Sequence, residues 1–472
     1  NIGAFKGVTG ESLWMGGNSP TAPGDLNLGN NSFWNGPVHL EGMTVVLANG
    51  SPSTASINGP ISGPGTLVKS GSAPLVLGGT EPNTHGGLQV PRGDLYLAKP
   101  SGVAATGGAT IVGQPQAGMS AGRLILNGSH QIPDNVLLNI LKTGTLEVGA
   151  HSEVVGNLLG TGTIQLNGGG FTVDFGPSSG DVEFDGTLNG TGPSVFTKSG
   201  TKPYALTASG DFAGKLLISG GELNLNGNLP NATVEVSSGA LLTGQPTIDT
   251  LTVKSGGTVS PGKFGPGRII VDNDLNLEVG AIYDAHVNGT IAGTGYDQIR
   301  VQDKTTLSGA VLDVEVHNIV PTGQEIALIE TISVQLISGT FEGKPANSTL
   351  NTSAGTFNAK YNGGNGNEFV LVSGQPNPVI TRFAGQTPIM EGAVMTLNGL
   401  YEWPNLQDTM KLVVNWGDGT PNTTNNVTGG TFAIGHKYAD DSPTGPSETT
   451  RAITAHLFSP TGLSSIQAYD PV

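Results

Sequence analysis

Cysteine is absent from all 472 residues. That excludes disulfides, Cys–zinc and iron–sulfur sites and any thiol nucleophile. It fits large exported bacterial proteins, which cross membranes unfolded and gain nothing from stray thiols. Charge is scarce too, at 12% of residues where a quarter is usual. The 20 Lys and Arg stand against 36 Asp and Glu, a net charge of -16, and they form no basic cluster. Such a chain repels phosphate backbones, so nucleic acid is excluded as a partner. No apolar run approaches the roughly 18 residues of a membrane-spanning helix, so no membrane insertion is expected. Helical periodicity is also missing: no run of about 12 residues repeats apolar positions at 3.6. No signal-like leader precedes Asn1, which reads as a mature form or a fragment.

Glycine is abundant, at 75 residues, and Leu, Val and Ile recur one residue apart. Each Leu-x-Leu sends two side chains to one face of a strand, while glycine supplies the positive φ needed at tight corners. The chain also repeats itself. Gly65-Thr66-Leu67-Val68-Lys69-Ser70-Gly71 returns 129 positions later as Ser194-Val195-Phe196-Thr197-Lys198-Ser199-Gly200. Both copies run on alike, to Gly93-Asp94-Leu95-Tyr96-Leu97 and Gly221-Glu222-Leu223-Asn224-Leu225. Strands this short bury little alone and must stack, which predicts a parallel β-helix of roughly 20–25 residues per coil. A string of β-sandwiches is the rival; against it, Asn-Gly hairpin signals are not systematically placed.

The unit Gly-x-Gly-x-Leu-x-Lys-x-Gly…Leu-x-Leu…Gly-Gly-Leu-x-Val…Gly-x-Leu-x-Leu resembles the autotransporter-associated β-strand repeat of bacterial surface proteins. Gly256-Gly257-Thr258-Val259-Ser260-Pro261-Gly262, Gly265-Pro266-Gly267-Arg268-Ile269, Tyr296-Asp297-Gln298-Ile299-Arg300-Val301 and Gly339-Thr340-Phe341 resemble the same family's later segments. The likeness covers about residues 50–373 and implies a right-handed parallel β-helix. No translocation barrel is recognisable, which leaves the export route open.

Near residue 374 the pattern changes at Gly374-Gln375-Pro376-Asn377-Pro378, a turn-rich connector. Beyond it, Trp416-Gly417-Asp418-Gly419-Thr420 is followed by His436-Lys437-Tyr438. These resemble a PKD-type immunoglobulin-like domain, which implies that Trp416 packs in a sandwich core and that Asp418-Gly419 makes a tight turn. The last residues, Tyr469-Asp470-Pro471-Val472, read as a strand end open to pairing with a neighbouring subunit.

Some β-helices are polysaccharide lyases, whose chemistry needs convergent carboxylates or bound Ca²⁺. The nearest cluster is Asp174, Asp181, Glu183 and Asp185. Alternation puts Asp181, Glu183 and Asp185 on one face, a weak candidate Ca²⁺ site; the competing reading is a solvated face with Val182 and Phe184 turned inward. Gly363-Gly364-Asn365-Gly366-Asn367-Glu368-Phe369 resembles a single calcium-binding nonapeptide, but one copy with Glu368 in place of Asp reads better as a hairpin turn. The eight histidines are scattered without metal-ligand spacing. Trp14, Trp34, Tyr96 and Trp403 could stack on sugars; Trp14 and Trp34 read instead as caps over the solenoid's open end.

The expected organisation is therefore a parallel β-helix with an N-terminal cap over 1–262, its continuation over 263–374 and a PKD-like β-sandwich over 375–472. No catalytic residue, resident cofactor or enzymatic activity is expected. The expected role is an extracellular structural or adhesive protein of a bacterial cell surface, forming a homo-oligomer or surface assembly and contacting surface glycans. A carbohydrate-binding or polysaccharide-degrading β-helix is the alternative.

Overall fold

The computed structural model describes residues 11–16, 24–29, 31–48, 54–175, 183–374, 377–385, 389–390, 392–403, 406–439, 450–460, 462, 464–465 and 468–471. Among them there is no helix, hence none long and apolar enough to cross a membrane. The chain divides into two compact units: 1–285 with 297–313 and 329–343, and 286–296 with 314–328 and 344–472.

The first unit is a parallel solenoid. One face is a fourteen-stranded sheet beginning at Gly24–Leu28, Thr44–Ala48 and Thr66–Ser70. A second face has eight strands, from Phe33–Trp34 to Thr187–Thr191. A third begins as Leu13–Met15, Val38–Leu40 and Ile61–Ser62, lapses, and resumes at Ser152–Val155. Register follows coil length: Leu67 pairs with Leu88, and Leu88 with Thr110. The alternation predicted from Leu-x-Leu is visible in Thr44–Ala48, whose 44, 46 and 48 side chains are buried while 45 and 47 are half-exposed.

Stacking turns each inward position into a column. Phe171, Phe196, Leu216, Val234 and Leu251 are register partners in turn, and all are fully buried. At about 25 cal/mol per Å² of apolar surface, each such side chain contributes roughly 1.5–3 kcal/mol. Outward positions pair charges between coils: Arg123 lies 3.1 Å from Asp94 on one side and 2.5 Å from Glu147 on the other, and Lys254 lies 2.6 Å from Glu278.

The segments after residue 256 pair with one another. Arg268–Val271 runs parallel to Gln298–Val301, and buried Asp297 accepts from the Gly267 amide at 2.7 Å. Phe341 is buried 6.4 Å from the Tyr283 ring.

In the second unit the pairing turns antiparallel. Gly355–Gly363 and Glu368–Ser373 form a hairpin, so the nonapeptide-like stretch makes its turn. The described residues between 377 and 471 form two antiparallel sheets. One orders Val379–Ala384, Val394–Glu402 and Thr431–Lys437; the other orders Thr423–Val427, Met410–Asn415, Ala452–Phe458 and Ala468–Pro471. Met395, Leu397 and Ile434 from the first share one buried cluster with Leu412, Val414, Trp416, Ile453 and Leu457 of the second. The connector residues 375 and 376 lie outside the described residues. The terminal strand Ala468–Pro471 pairs on one side with Ala452–Ala455 of its own chain and stands last in its sheet's strand order.

Candidate functional site

The lysine of the repeat is not a surface residue. In Leu67-x-Lys69 and Phe196-x-Lys198, period-two alternation places the lysine on the same inward face as the hydrophobe. Both lysines are fully buried. Lys198 stands in a column between Val173 and Ile218. Its Nζ donates to the Gly200 carbonyl at 2.9 Å and to the Gly220 carbonyl, one coil on, at 2.7 Å. Lys69 does the same with Gly71 at 2.8 Å and Arg92 at 3.2 Å. Each lysine thus fastens the corner of one coil to the corner of the next.

Gly93 and Gly221 are explained by the same contact. They have φ of +71° and +62°, and a Cβ there would stand 2.8 Å and 2.7 Å from the lysine Nζ. Burial brings both lysines down to about 8; Asp94 opposes the effect at Lys69, and Asp174 and Glu222 oppose it at Lys198. Lys99, also buried, donates at 2.7 Å to Gly78 and Glu81 carbonyls, and its pKa is lowered by burial.

Where the third face lapses, buried side chains supplement isolated main-chain bonds such as Ala105 N to Gln131 O at 2.7 Å. Asn83 accepts from Ile61 N at 2.9 Å and donates to Ala105 O at 2.7 Å. Gln131 accepts from Lys99 N and donates to Pro100 O. Glu153, on the strand Ser152–Val155, occupies the inward slot that Phe171 fills one coil later. Its Oε2 accepts from Gln131 N at 2.8 Å and Ile132 N at 3.3 Å, and its Oε1 from Val154 N at 3.2 Å. Backbone donors without a strand to pair with must find another acceptor, and this carboxylate supplies it. Burial raises Glu153 to about 7 against those three amides, and Asp134 adds to the rise. One donor atom each of His130, Asp134 and Glu153 lie within 4.8 Å of one another. His85 is fully buried in the same region, with neither ring nitrogen in hydrogen-bonding geometry. Burial lowers it to about 4, the Ile61 backbone pulling the other way and Lys99 adding to the fall.

A second cluster surrounds the Trp-Gly-Asp-Gly motif. Trp416 is fully buried and donates from Nε1 to Thr423 Oγ1 at 2.7 Å. The His436 ring stacks on it at 4.5 Å, and Tyr438 meets His436 edge-on at 4.8 Å. His436 Nε2 lies 2.8 Å from Asp418 Oδ2, Tyr438 donates to the Trp416 carbonyl at 3.0 Å, and Thr420 N and Oγ1 both donate to Asp418 Oδ1. Gly417 and Gly419 have φ of +73° and +81°, as a tight turn requires. Burial pushes the Asp418 carboxyl up, but the Thr420 and His436 bonds outweigh it and hold the group at about 2. These partners lock a turn to a core.

The acidic cluster read from the sequence is not assembled into a pocket among the described residues. Asp181 and Val182 lie outside them. Glu183 and Asp185 are exposed on either side of buried Phe184, and Glu183 accepts from Thr207 Oγ1 at 2.9 Å. Asp174 is exposed and accepts from Ser199. Trp34 and Trp403 are buried and Tyr96 half-buried. Trp14 departs from its expected cap role: it is 66% exposed, its ring centroid 4.2 Å from that of His39 on the neighbouring strand. It sits at an outward register position, Trp14 beside His39.

No protein-family model matches this chain, and no curated protein matches it.

The inward lysines went unrecognised in the sequence, although their signal was there: an apolar residue, one position, then lysine, as Leu67-x-Lys69 and Phe196-x-Lys198 at the same place in two copies. Glu153 carried no comparable signal, because its partners belong to an irregular coil.

Proposed function

We propose that this chain is a non-enzymatic extracellular protein of a bacterial cell surface, working as a structural or adhesive element. It would combine an autotransporter-like repeat solenoid with a PKD-like module. The observation that carries the reading is the buried lysine of the repeat. The residues that define the motif, Lys69 with Gly71 and Gly93, and Lys198 with Gly200 and Gly221, are spent on fastening coil to coil. A motif used up in stacking supports a scaffold whose output is shape and surface. Self-association into a homo-oligomer or a surface layer, and contact with glycans, belong to the same proposal.

The test uses the purified full chain against uronic-acid polymers with and without Ca²⁺, with electron microscopy on the same sample. No turnover together with assemblies of regular spacing is the expected result. Turnover abolished by Glu183→Gln or Asp185→Asn would replace this reading with a polysaccharide-degrading one. Exposed Trp14 favours a second reading, a carbohydrate-binding surface, since a bare indole is a stacking platform for sugar rings. Glycan binding lost in Trp14→Ala would select it.

A further inference from the structure

Among the described residues of the solenoid, Glu153 is a buried acid whose charged neighbour is another acid, Asp134. Elsewhere, partly buried carboxylates face cations: Glu147 and Asp94 face Arg123, and Asp418 faces His436. Glu153 is 1% exposed. Its hydrogen-bond partners are three backbone amides, and its charged neighbour is Asp134. A charge held out of water is paired or coordinates a metal. The side chains beside it are metal-ligating types. His130 and Asp134 are exposed, and among the described residues neither side chain has a hydrogen-bond or ion-pair partner.

We propose that His130, Asp134 and Glu153 form a binding site for one first-row divalent transition metal, of which zinc is the probe, bridging two successive coils. His130 and Asp134 come from one coil and Glu153 from the next, with donor atoms within 4.8 Å of one another. Two ligands of one zinc at about 2.0–2.2 Å stand no more than about 4.4 Å apart. The exposed His130 and Asp134 side chains therefore swing inward by a fraction of an ångström to an ångström, toward a carboxylate already fixed by its amides. One imidazole nitrogen with carboxylate oxygens selects zinc or its neighbours over calcium, which takes six to eight oxygens. Water completes the shell on the exposed side. The ion would pin the irregular coil to Ser152–Val155, where the third face of the solenoid resumes. The site is independent of the function proposed above.

The experiment is calorimetric titration of zinc chloride into the full chain after chelator treatment, with melting followed on the same samples. The expected result is one zinc per chain, a melting temperature raised by about 2–4 °C at saturation, and affinity at least about tenfold weaker in His130→Asn and Asp134→Asn. Both substitutions are at exposed positions, and asparagine tolerates the φ of +54° at residue 130, so melting in chelator stays at the wild-type value. His317→Asn, in the stacked His286–His317 pair, leaves binding unchanged. The proposal is overturned by absent zinc binding, by zinc binding that survives both substitutions, or by stabilisation with calcium and none with zinc.

Discussion

The parallel solenoid and the antiparallel sheets around Trp416 bury polar groups for opposite ends. In the solenoid, Lys69, Lys99, Lys198 and Glu153 each reach beyond their own coil to main-chain groups of the next or previous one. Their partners are backbone atoms, so the contact recurs wherever the coil geometry recurs. Around Trp416 most polar partners are side chains of one turn and two strands, Asp418, Thr423 and His436, and they act once. The first arrangement is additive along the chain; the second is a single keystone. Nearest-neighbour stacking gives local failure, whereas one shared core fails together.

The largest effect should therefore come from Trp416→Ala, which removes the biggest fully buried side chain and costs about 3–5 kcal/mol. Hydrogen exchange should show protection lost across 394–458 and kept across 195–261; loss in both would break the comparison. Next, Lys198→Met fills the column but leaves the Gly200 and Gly220 carbonyls without their donor, costing about 2–3 kcal/mol. Exchange should rise in the two coils it joins and stay unchanged around Trp416.

Acid sharpens the contrast further. His85, at about 4 in the fold against about 6.5 unfolded, loses stability as pH falls from 6.5 through 4, by roughly 3 kcal/mol. Glu153, raised to about 7, works in the other direction: the folded state takes up its proton first, so stability is gained as pH falls from 7 toward 4.5, again by roughly 3 kcal/mol. The two nearly cancel between 4.5 and 6.5. In His85→Leu the Glu153 gain stands alone, and denaturation midpoints should rise from pH 7 to pH 4.5; a fall would contradict this. The smallest effect is at Asp418, which has a depressed pKa. Its contribution is present above about 3.8 and fades as pH falls through about 2. At a rim partly open to water it is worth about 1 kcal/mol, so Asp418→Asn should flatten the acid limb of the antiparallel sheets by that amount.

Much of the architecture was legible. Leu-x-Leu pairs and the 129-residue echo announced stacked coils because period-two alternation and glycine corners are local properties. The tight turn at Asp418-Gly419 was legible because it is local, whereas the burial of Trp416 was read only from the resemblance to a PKD-type motif, since His436 and Tyr438 reach the turn from 18 and 22 residues away. The buried lysines were half legible, since alternation already aimed Lys69 and Lys198 inward but a charged residue argues for the surface. The lapse in the third face was not legible. It depends on Asn83, Gln131 and Glu153 finding main-chain partners some 20 to 30 residues away, which no local pattern encodes. Nor was the free face of Trp14, because burial at a solenoid's end depends on what lies over it.

Everything here depends on coils repeating in parallel, each strand beside the one a full turn later. A chain without cysteine allows a clean test: Thr197→Cys with Leu217→Cys joins register partners on adjacent coils, about 4.8 Å apart and within disulfide range. Thr197→Cys with Glu235→Cys spans two coils and lies beyond it. Under mild oxidation parallel stacking predicts an intramolecular crosslink in the first pair and none in the second; equal crosslinking, or the reverse order, would contradict it.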